Sequence, residues 1–283
     1  PQAIANGTSS IAMGDQARAE QENAVAIGKE SAAIGLNSIA LGTSNLATGE
    51  SSVALGDSSK AVAKDAIAIG RNGNASGEQA ISIGAGAQAA ASGALAAGGA
   101  SSAGRDGAVA LGQGAFANTT AGISIGQNAG AGTSQGTTND RTDHIAIGRN
   151  SGQNVIGNRN IALGVGAGSN LSASGIGSSD DNIAIGVNAG SNLTGDDNIA
   201  IGRDANKNIK AVAESVAIGS SVDATTGSTV LGYEAKASGG DYATVLGYKA
   251  KVTGDSGTAL GRDSEASTNN IALGASSVAN GTS

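Results

Sequence analysis

Few residues in this sequence have side chains that could carry out covalent chemistry. The chain has 283 residues with a single histidine, His144, and no cysteine. His144 stands just before residues 145–148 (IAIG), without a second histidine nearby and without an evident serine–aspartate pair. Nucleophilic catalysis and metal chelation both need several groups that converge on one point. We therefore interpret His144 as a surface residue and predict that the protein is not an enzyme.

Two acidic pairs are the remaining candidates for ion binding. Asp180-Asp181 and Asp196-Asp197 each stand before an apolar NIAIG segment. Carboxylates at that place could bind a cation, but acidic residues also stabilise turns and keep a surface soluble, and we favour the second interpretation. The phosphate-binding pattern G-x-x-x-x-G-K-[ST] does not occur in the sequence. The sequence therefore predicts neither a cofactor nor a metal ion.

Composition and charge exclude several classes of protein. The chain carries 16 basic and 23 acidic residues, a balance that argues against nucleic-acid binding, which needs a basic face. No run approaches the roughly 18 apolar residues that span a bilayer, so we expect no direct membrane contact by this fragment. With 47 glycines, one Phe, three Tyr and no Trp, any core must be thin and built from small and aliphatic side chains.

A short apolar unit recurs along the whole chain. It reads small residue, Ile/Val/Leu, Ala, Ile/Leu, Gly, with variations, and it occurs 18 times. Its glycines are Gly14, Gly28, Gly42, Gly56, Gly70, Gly84, Gly98, Gly112, Gly126, Gly148, Gly164, Gly186, Gly202, Gly219, Gly232, Gly247, Gly261 and Gly274. From Gly14 to Gly126 the spacing is 14 residues eight times in succession, and later it varies from 13 to 22. Such a period predicts a solenoid.

Each unit predicts one coil with two short strands. In residues 67–69 (IAI), two large apolar residues flank a small one, which is the period-2 pattern of a β-strand. Small residues three and five places after most unit glycines, such as Ala87 and Ala89, indicate a second strand. Turns rich in Gly, Asn, Asp and Ser join the two. Coils stacked at about 4.8 Å predict an all-β parallel roll about 86 Å long.

The alternation also suggests which residues fill the roll. We expect the isoleucines of the first strand to point inward, and the central alanines, such as Ala26, Ala54 and Ala68, to point outward. A solvent-facing row should be polar, but this row is apolar along nearly the full chain. It therefore predicts a second buried surface, covered by further copies of the same chain.

The repeat resembles the YadA-like head of trimeric autotransporter adhesins, whose units read N-S-V-A-I-G-x-x-S. The matches include NSIALG at 37–42, SSVALGDSS at 51–59, ESVAIGSSV at 214–222 and NIALGASS at 270–277, and the resemblance extends from about residue 4 to 280. It implies a single head over residues 1–283, a left-handed parallel β-roll, and a homotrimer. It also implies display on a Gram-negative cell surface, anchored in the outer membrane through regions that this fragment lacks.

The resemblance further implies a function and a first set of contact residues. Heads of this family attach to host cells or to extracellular matrix proteins such as collagen, and in the collagen-binding member such repeats were implicated in binding. The nearest match here is Asn37, Ser38, Ile39, Ala40, Leu41 and Gly42, although Asn45 stands where the family has its final serine.

Two interruptions of the period supply a second set of candidate contacts. The spacing grows from 14 to 22 between Gly126 and Gly148 and again between Gly164 and Gly186. The added segments, near 130–143 and 169–181, are polar and predict surface loops. They are either tolerated insertions or places of specific contact. The candidate ligand-binding residues in them are Asn139, Asp140, Arg141, Asp143, Asp180 and Asp181.

Other interpretations of the repeat remain open or are disfavoured. A structural or phage-type trimeric fibre would use the same coils without binding a receptor. Left-handed β-helix acyltransferases repeat in hexapeptides, and 14 is not a multiple of six. An ice-binding solenoid would want regular rows of threonine, which is scattered here. Asn128, Asn150 and Asn188 occupy equivalent places, where they either form a ladder along the roll or stabilise turns, and we favour turns.

Overall fold

The computed structural model describes residues 2–130, 143–155, 157–171, 179–209 and 212–281. Within these ranges all regular structure is β, in 31 strands of two to five residues. No helix capable of crossing a membrane occurs in them. Contacts divide the chain into two compact units, Pro1–Asn128 and Ala129–Ser283. The prediction of one head over residues 1–283 stays a prediction.

The first unit contains nine long strands and nine short ones in alternation. The short strands are β1 (Ile4–Ala5), β3 (Arg18–Ala19), β5 (Ala32–Ala33), β7 (Leu46–Ala47), β9 (Lys60–Ala61), β11 (Asn74–Ala75), β13 (Gln88–Ala89), β15 (Ser102–Ala103) and β17 (Phe116–Ala117). The long strands are β2 (Ile11–Met13), β4 (Val25–Ile27), β6 (Ile39–Thr43), β8 (Val53–Asp57), β10 (Ile67–Ile69), β12 (Ile81–Ile83), β14 (Leu95–Ala97), β16 (Val109–Leu111) and β18 (Ile123–Ile125).

The second unit repeats the long strands nine times, while its described short strands occur only toward the end of the chain. The long strands are β19 (Ile145–Ile147), β20 (Ile161–Leu163), β21 (Ile183–Ile185), β22 (Ile199–Ile201), β23 (Val216–Ile218), β24 (Thr229–Leu231), β26 (Thr244–Leu246), β28 (Thr258–Leu260) and β30 (Ile271–Leu273). The short strands are β25 (Lys236–Ala237), β27 (Lys251–Val252), β29 (Glu265–Ala266) and β31 (Val278–Ala279).

Successive coils pair in parallel and in register, as the period predicts. Ile67, Ala68 and Ile69 lie beside Ile81, Ser82 and Ile83 of the next coil. The short strands form a second parallel sheet with the same spacing, in which Ala75 lies beside Ala89. Each position of the repeat therefore becomes a continuous row along its unit, and the expected all-β parallel solenoid with coils of about 14 residues is confirmed.

The expected assignment of the two faces of the long strands is wrong. Ala26, Ala54 and Ala68 are fully buried inside the roll, whereas Ile67 and Ile69 point outward and are only half-buried. The reason is the short coil: two- and three-residue strands joined by tight turns hold the two sheets close together. The buried cluster of the first unit consists of alanines alone, since a methyl group from each sheet fills the gap.

The three asparagines at equivalent places in the repeat lie in turns, as predicted. Asn128, Asn150 and Asn188 have φ angles of 54°, 57° and 55°, in the left-handed region that asparagine tolerates better than most residues. A true asparagine ladder forms elsewhere, inside the second unit. Asn182 Nδ2 donates to Asn160 Oδ1 at 3.1 Å, and Asn198 Nδ2 donates to Asn182 Oδ1 at 3.0 Å.

Removing one member of this buried ladder should destabilise the second unit. Asn198 is fully buried, donates to Val212 O and accepts from the Ser215 hydroxyl at 2.6 Å. We expect Asn198→Ala to lower the free energy of unfolding by about 1–3 kcal/mol, because it leaves buried groups unpaired. Urea unfolding followed by circular dichroism measures this. The control is Asn74→Ala, at a half-buried outward position, and an equal effect there would contradict the expectation.

Candidate functional site

The roll presents two outward faces, one almost wholly apolar and one mostly polar. We name the outward residues of the long strands, the first and third of each, the apolar face. They are Ile, Val, Leu or Met in nearly every coil. Ile83, Ile147 and Ile218 are 41%, 39% and 36% exposed in the single chain. Continuous apolar rows of this length mark a surface for association.

The outward residues of the short strands form the second face, named here the polar face. Eight of its 13 described members are polar or charged, among them Arg18, Lys60, Gln88, Lys236 and Lys251, and the other five are Ile4, Ala32, Leu46, Phe116 and Val278. Ion pairs join neighbouring coils on this side, for example Lys236 with Asp223 at 2.8 Å. Exposed pairs of this kind contribute little to stability but keep the face hydrated. The polar face is thus the side suited to water and to a soluble partner.

The structure separates the residues of the 37–42 motif by role. Asn37 lies exposed in a left-handed turn and accepts a hydrogen bond from Asn23 Nδ2 at 3.0 Å. Ser38 is buried, and its hydroxyl donates to Gly35 O at 2.6 Å. Ala40 is also buried, while Ile39 and Leu41 belong to the apolar face. Asn37 is therefore the member of the motif with a polar side chain in solvent.

The departure from the family pattern at Asn45 has a structural explanation. Asn45 is buried, and its side chain crosses to the next coil. Its Nδ2 donates to Gly56 O at 2.8 Å, and its Oδ1 accepts from the Ser59 hydroxyl at 2.6 Å. The side chain stabilises the stack of coils and does not reach a ligand.

Three of the predicted loop residues come together around one arginine. Asp143, Asp180 and Asp181 all favour the charged form of Arg159 and raise its pKa, Asp181 most strongly through a hydrogen bond. Asp180 Oδ1 also accepts from the backbone N–H of Asn158 at 2.8 Å. The other predicted residues, Asn139, Asp140 and Arg141, lie outside the described part of the chain.

Neither the acidic residues nor His144 forms a metal centre in the described residues. No group of three or more His, Cys, Asp and Glu side chains suited to a metal occurs there. Asp180 and Asp196 instead hold consecutive turns together, since Asp180 N–H donates to Asp196 Oδ1 at 2.8 Å. His144 is half-buried, and its Nε2 lies 2.6 Å from Gly157 O. These contacts connect one coil with the next.

Comparison with known proteins finds a repeat family in both units. The family model described as the YadA head domain repeat matches residues 5–31, 33–59, 47–72, 106–129, 226–250 and 239–264. The chain is a YadA-like head. Among solved structures it is similar to the collagen-binding domain of the Yersinia adhesin YadA, with 23% identity, 77% of this chain and 70% of that chain covered, and a TM-score of 0.18. No curated protein matches.

The ion pair between Arg159 and Asp181 in this YadA-like head should be detectable in the titration of Asp181. Arg159 Nε and Nη2 each donate to Asp181 at 2.6 Å, and this bonding lowers the pKa of Asp181. A lowered carboxyl pKa means that the stabilisation is present at neutral pH and is lost as the pH falls through that pKa. We expect a carbon-13 NMR midpoint for Asp181 below that of an ordinary aspartate, which Arg159→Gln raises. An unchanged midpoint in the variant would contradict the pairing.

Sequence reasoning missed an aromatic cluster in the YadA-like head. The rings of Tyr233 and Tyr248 stack with centroids 5.4 Å apart, and Lys249 Nζ lies 5.3 Å from the Tyr248 centroid. A hydrogen bond to Glu234 raises the pKa of Tyr233. The sequence did contain an indication of this cluster, because all three tyrosines of the chain fall within residues 233–248.

Proposed function

We propose that the protein is a non-enzymatic adhesin head that attaches a bacterium to host cells or to extracellular matrix proteins such as collagen. The observation that carries the proposal is the YadA head repeat, matched in both units and stacked in register. A stiff stack of coils with one hydrated face and one associating face suits a protein that holds a binding surface away from the cell.

The proposed active form is a homotrimer. The apolar face leaves rows of isoleucine, valine and leucine in water when the chain is alone, which is unfavourable at about 25 cal/mol per Å². A partner must offer apolar rows with the same spacing, and another copy of the chain does so at every coil. Three copies follow from the family resemblance, and they place the polar face outward.

The proposed ligand contacts lie at the exposed turns and loops. Asn37 presents its side chain to solvent in a turn, and Asp143, Asp180 and Asp181 form an acidic edge around Arg159. The segments 130–143 and 169–181 end with these acidic residues, and we include them in the proposed contact region. Each contact would occur three times in the trimer, so weak single contacts would gain from avidity. Display at the cell surface, with the anchor in other regions of the protein, completes the proposal.

Solution mass and binding assays test the function together. Light scattering after gel filtration should give a mass three times 26.7 kDa, about 80 kDa. The trimer should then bind immobilised matrix proteins or cultured host cells in a saturable manner. A trimer that binds neither would favour the structural fibre.

A loop variant tests the proposed contacts separately. Replacing 131–141 and 172–178 with short Gly-Ser links should lower binding at least tenfold while the mass of the trimer is retained. A matched control carries Gln88→Ala and Ser102→Ala on the polar face of the first unit. Unchanged binding of the loop variant would show that other surfaces make the contact.

A further inference from the structure

The apolar face changes its chemistry in three consecutive coils of the second unit. The first residue of each described long strand is Ile, Val or Leu, except in β24, β26 and β28, which begin with Thr229, Thr244 and Thr258. The three threonines lie side by side, because Thr229 pairs with Thr244 and Thr244 pairs with Thr258. They form one short hydroxyl row inside a long aliphatic row.

The three hydroxyl groups have no hydrogen-bond partner among the described residues, and they belong to a face that is otherwise suited to burial. The neighbouring row stays apolar through the same coils, with Leu231, Leu246 and Leu260 as its members, and Leu246 is 51% exposed. The exposed Tyr233 and Tyr248 follow directly after the unit glycines of two of these coils. The surface around the threonines is therefore still apolar and suited to burial against another chain.

A uniform aliphatic row poses a difficulty for assembly. If one copy slides along another by a single coil, about 4.8 Å, every isoleucine or valine meets another aliphatic residue and little contact is lost. Register between flat, repetitive β surfaces is weakly specified for this reason. In coiled coils a polar residue at one interface position restores it, because a shifted partner leaves that residue without a hydrogen bond.

We propose that Thr229, Thr244 and Thr258 set the axial register of the trimer. This inference rests on the homotrimer proposed above. In a closed threefold assembly around the stacking direction, equivalent residues lie at the same height. A threonine hydroxyl both donates and accepts, so three of them at one height can bond to one another directly or through a shared water.

A shift by one coil breaks this arrangement at both ends of the hydroxyl row. Thr229 of one copy then faces Val216 of its neighbour, and Thr258 of the neighbour faces Ile271. Each of these hydroxyls loses its partner in an apolar contact, which is unfavourable. The in-register trimer is the arrangement that leaves no threonine facing an aliphatic side chain.

Interchain distances measured along the stack test the proposal. The chain has no cysteine, so Arg149→Cys and Thr268→Cys chains can be spin-labelled separately and refolded together. The two labels lie seven coils apart, about 34 Å along the stack, and a slip of one coil changes that separation by about 5 Å. With native threonines, we expect the unlike-label pairs to give one narrow axial distance in double electron–electron resonance, whereas like labels lie at the same height and give only lateral distances.

The triple variant Thr229→Val, Thr244→Val, Thr258→Val should give additional distances about 5 Å to either side while remaining trimeric. The triple Thr→Ser variant keeps the hydroxyl groups and should retain one axial distance. It still tests the register role if the valine variant fails to fold. A control with Thr48→Val and Thr253→Val changes threonines that directly follow the short strands β7 and β27. One narrow distance in the valine variant, or several in the serine variant, would overturn the register role. A monomeric native chain would instead overturn the trimer itself.

Discussion

Substituting Gly42 with alanine should unfold the coil that contains it and lower the free energy of unfolding by about 3 kcal/mol or more. Gly42 has a φ angle of +122°, and a Cβ atom placed there would lie 1.8 Å from the carbonyl oxygen of Gly56 in the next coil. Backbone meets backbone at this point, so no side chain can move aside. Relief requires the two coils to separate, which breaks parallel pairing on both sides of the glycine.

A second glycine provides the matched control for this prediction. Gly86 also has a positive φ, +69°, but a Cβ atom there would meet nothing within 4 Å. The equivalent place one coil earlier holds Asn72 at φ 55°. Gly86→Asn should therefore change the free energy of unfolding by no more than about 0.5 kcal/mol. Urea unfolding of both variants measures this contrast. A small decrease in the free energy of unfolding for Gly42→Ala would show that neighbouring coils can separate at little energetic cost.

The outcome also bears on the candidate contact residues of the 37–42 motif. Gly42, Ser38 and Ala40 recur because the stack needs a close approach, a hydroxyl on a turn carbonyl and a methyl group in the gap. Residues that recur in every coil serve the stacking of the coils, because stacking is what all coils have in common. Ligand contact is better sought where coils differ, and for that reason the acidic edge at Asp180 and Asp181 is the stronger candidate.

The period of the repeat was sufficient to predict the strands, their parallel pairing and the coil length. Rows such as Ile67 beside Ile81 follow from spacing alone, because residues 14 apart occupy the same place in successive coils. Alternation, however, only divides residues into two sets and does not say which set faces inward. That choice depends on the gap between the sheets, which turn geometry sets, and Ala68 fits a gap that Ile67 does not.

The candidate site was predictable to a smaller extent for the same reason. The pairing of Arg159 with Asp181 spans 22 residues, and it is readable from sequence only once coils of unequal length are aligned through their glycines. The role of Asn45 depends on its burial and on a bond to Ser59 in the next coil. Neither local spacing nor residue type carries that information.

Because the alanines of the long strands point inward and the isoleucines point outward, aspartate substitutions one residue apart should have different effects. One set should prevent association and the other should prevent folding. A variant with Ile39→Asp, Ile67→Asp and Val109→Asp should keep its circular dichroism spectrum but fall in mass from the roughly 80 kDa of the proposed trimer to 26.7 kDa. These side chains point outward in the single chain, where water can solvate a carboxylate. In the proposed trimer, nine carboxylates would lie in an apolar contact without cations, and their desolvation and mutual repulsion should exceed what association gains.

The neighbouring variant with Ala40→Asp, Ala68→Asp and Ala110→Asp should not fold at all. Each of these alanines is fully buried between the sheets, and an uncompensated buried charge costs about 3–5 kcal/mol. Three such charges cost about 9–15 kcal/mol together, which is comparable with the 5–15 kcal/mol that stabilises an ordinary domain. The two variants carry the same number of new carboxylates along the same strands, so total charge cannot explain a difference between them. If the variant with the three Ala→Asp substitutions folded and the variant with the Ile→Asp and Val→Asp substitutions did not, the large side chains would be the ones that fill the roll.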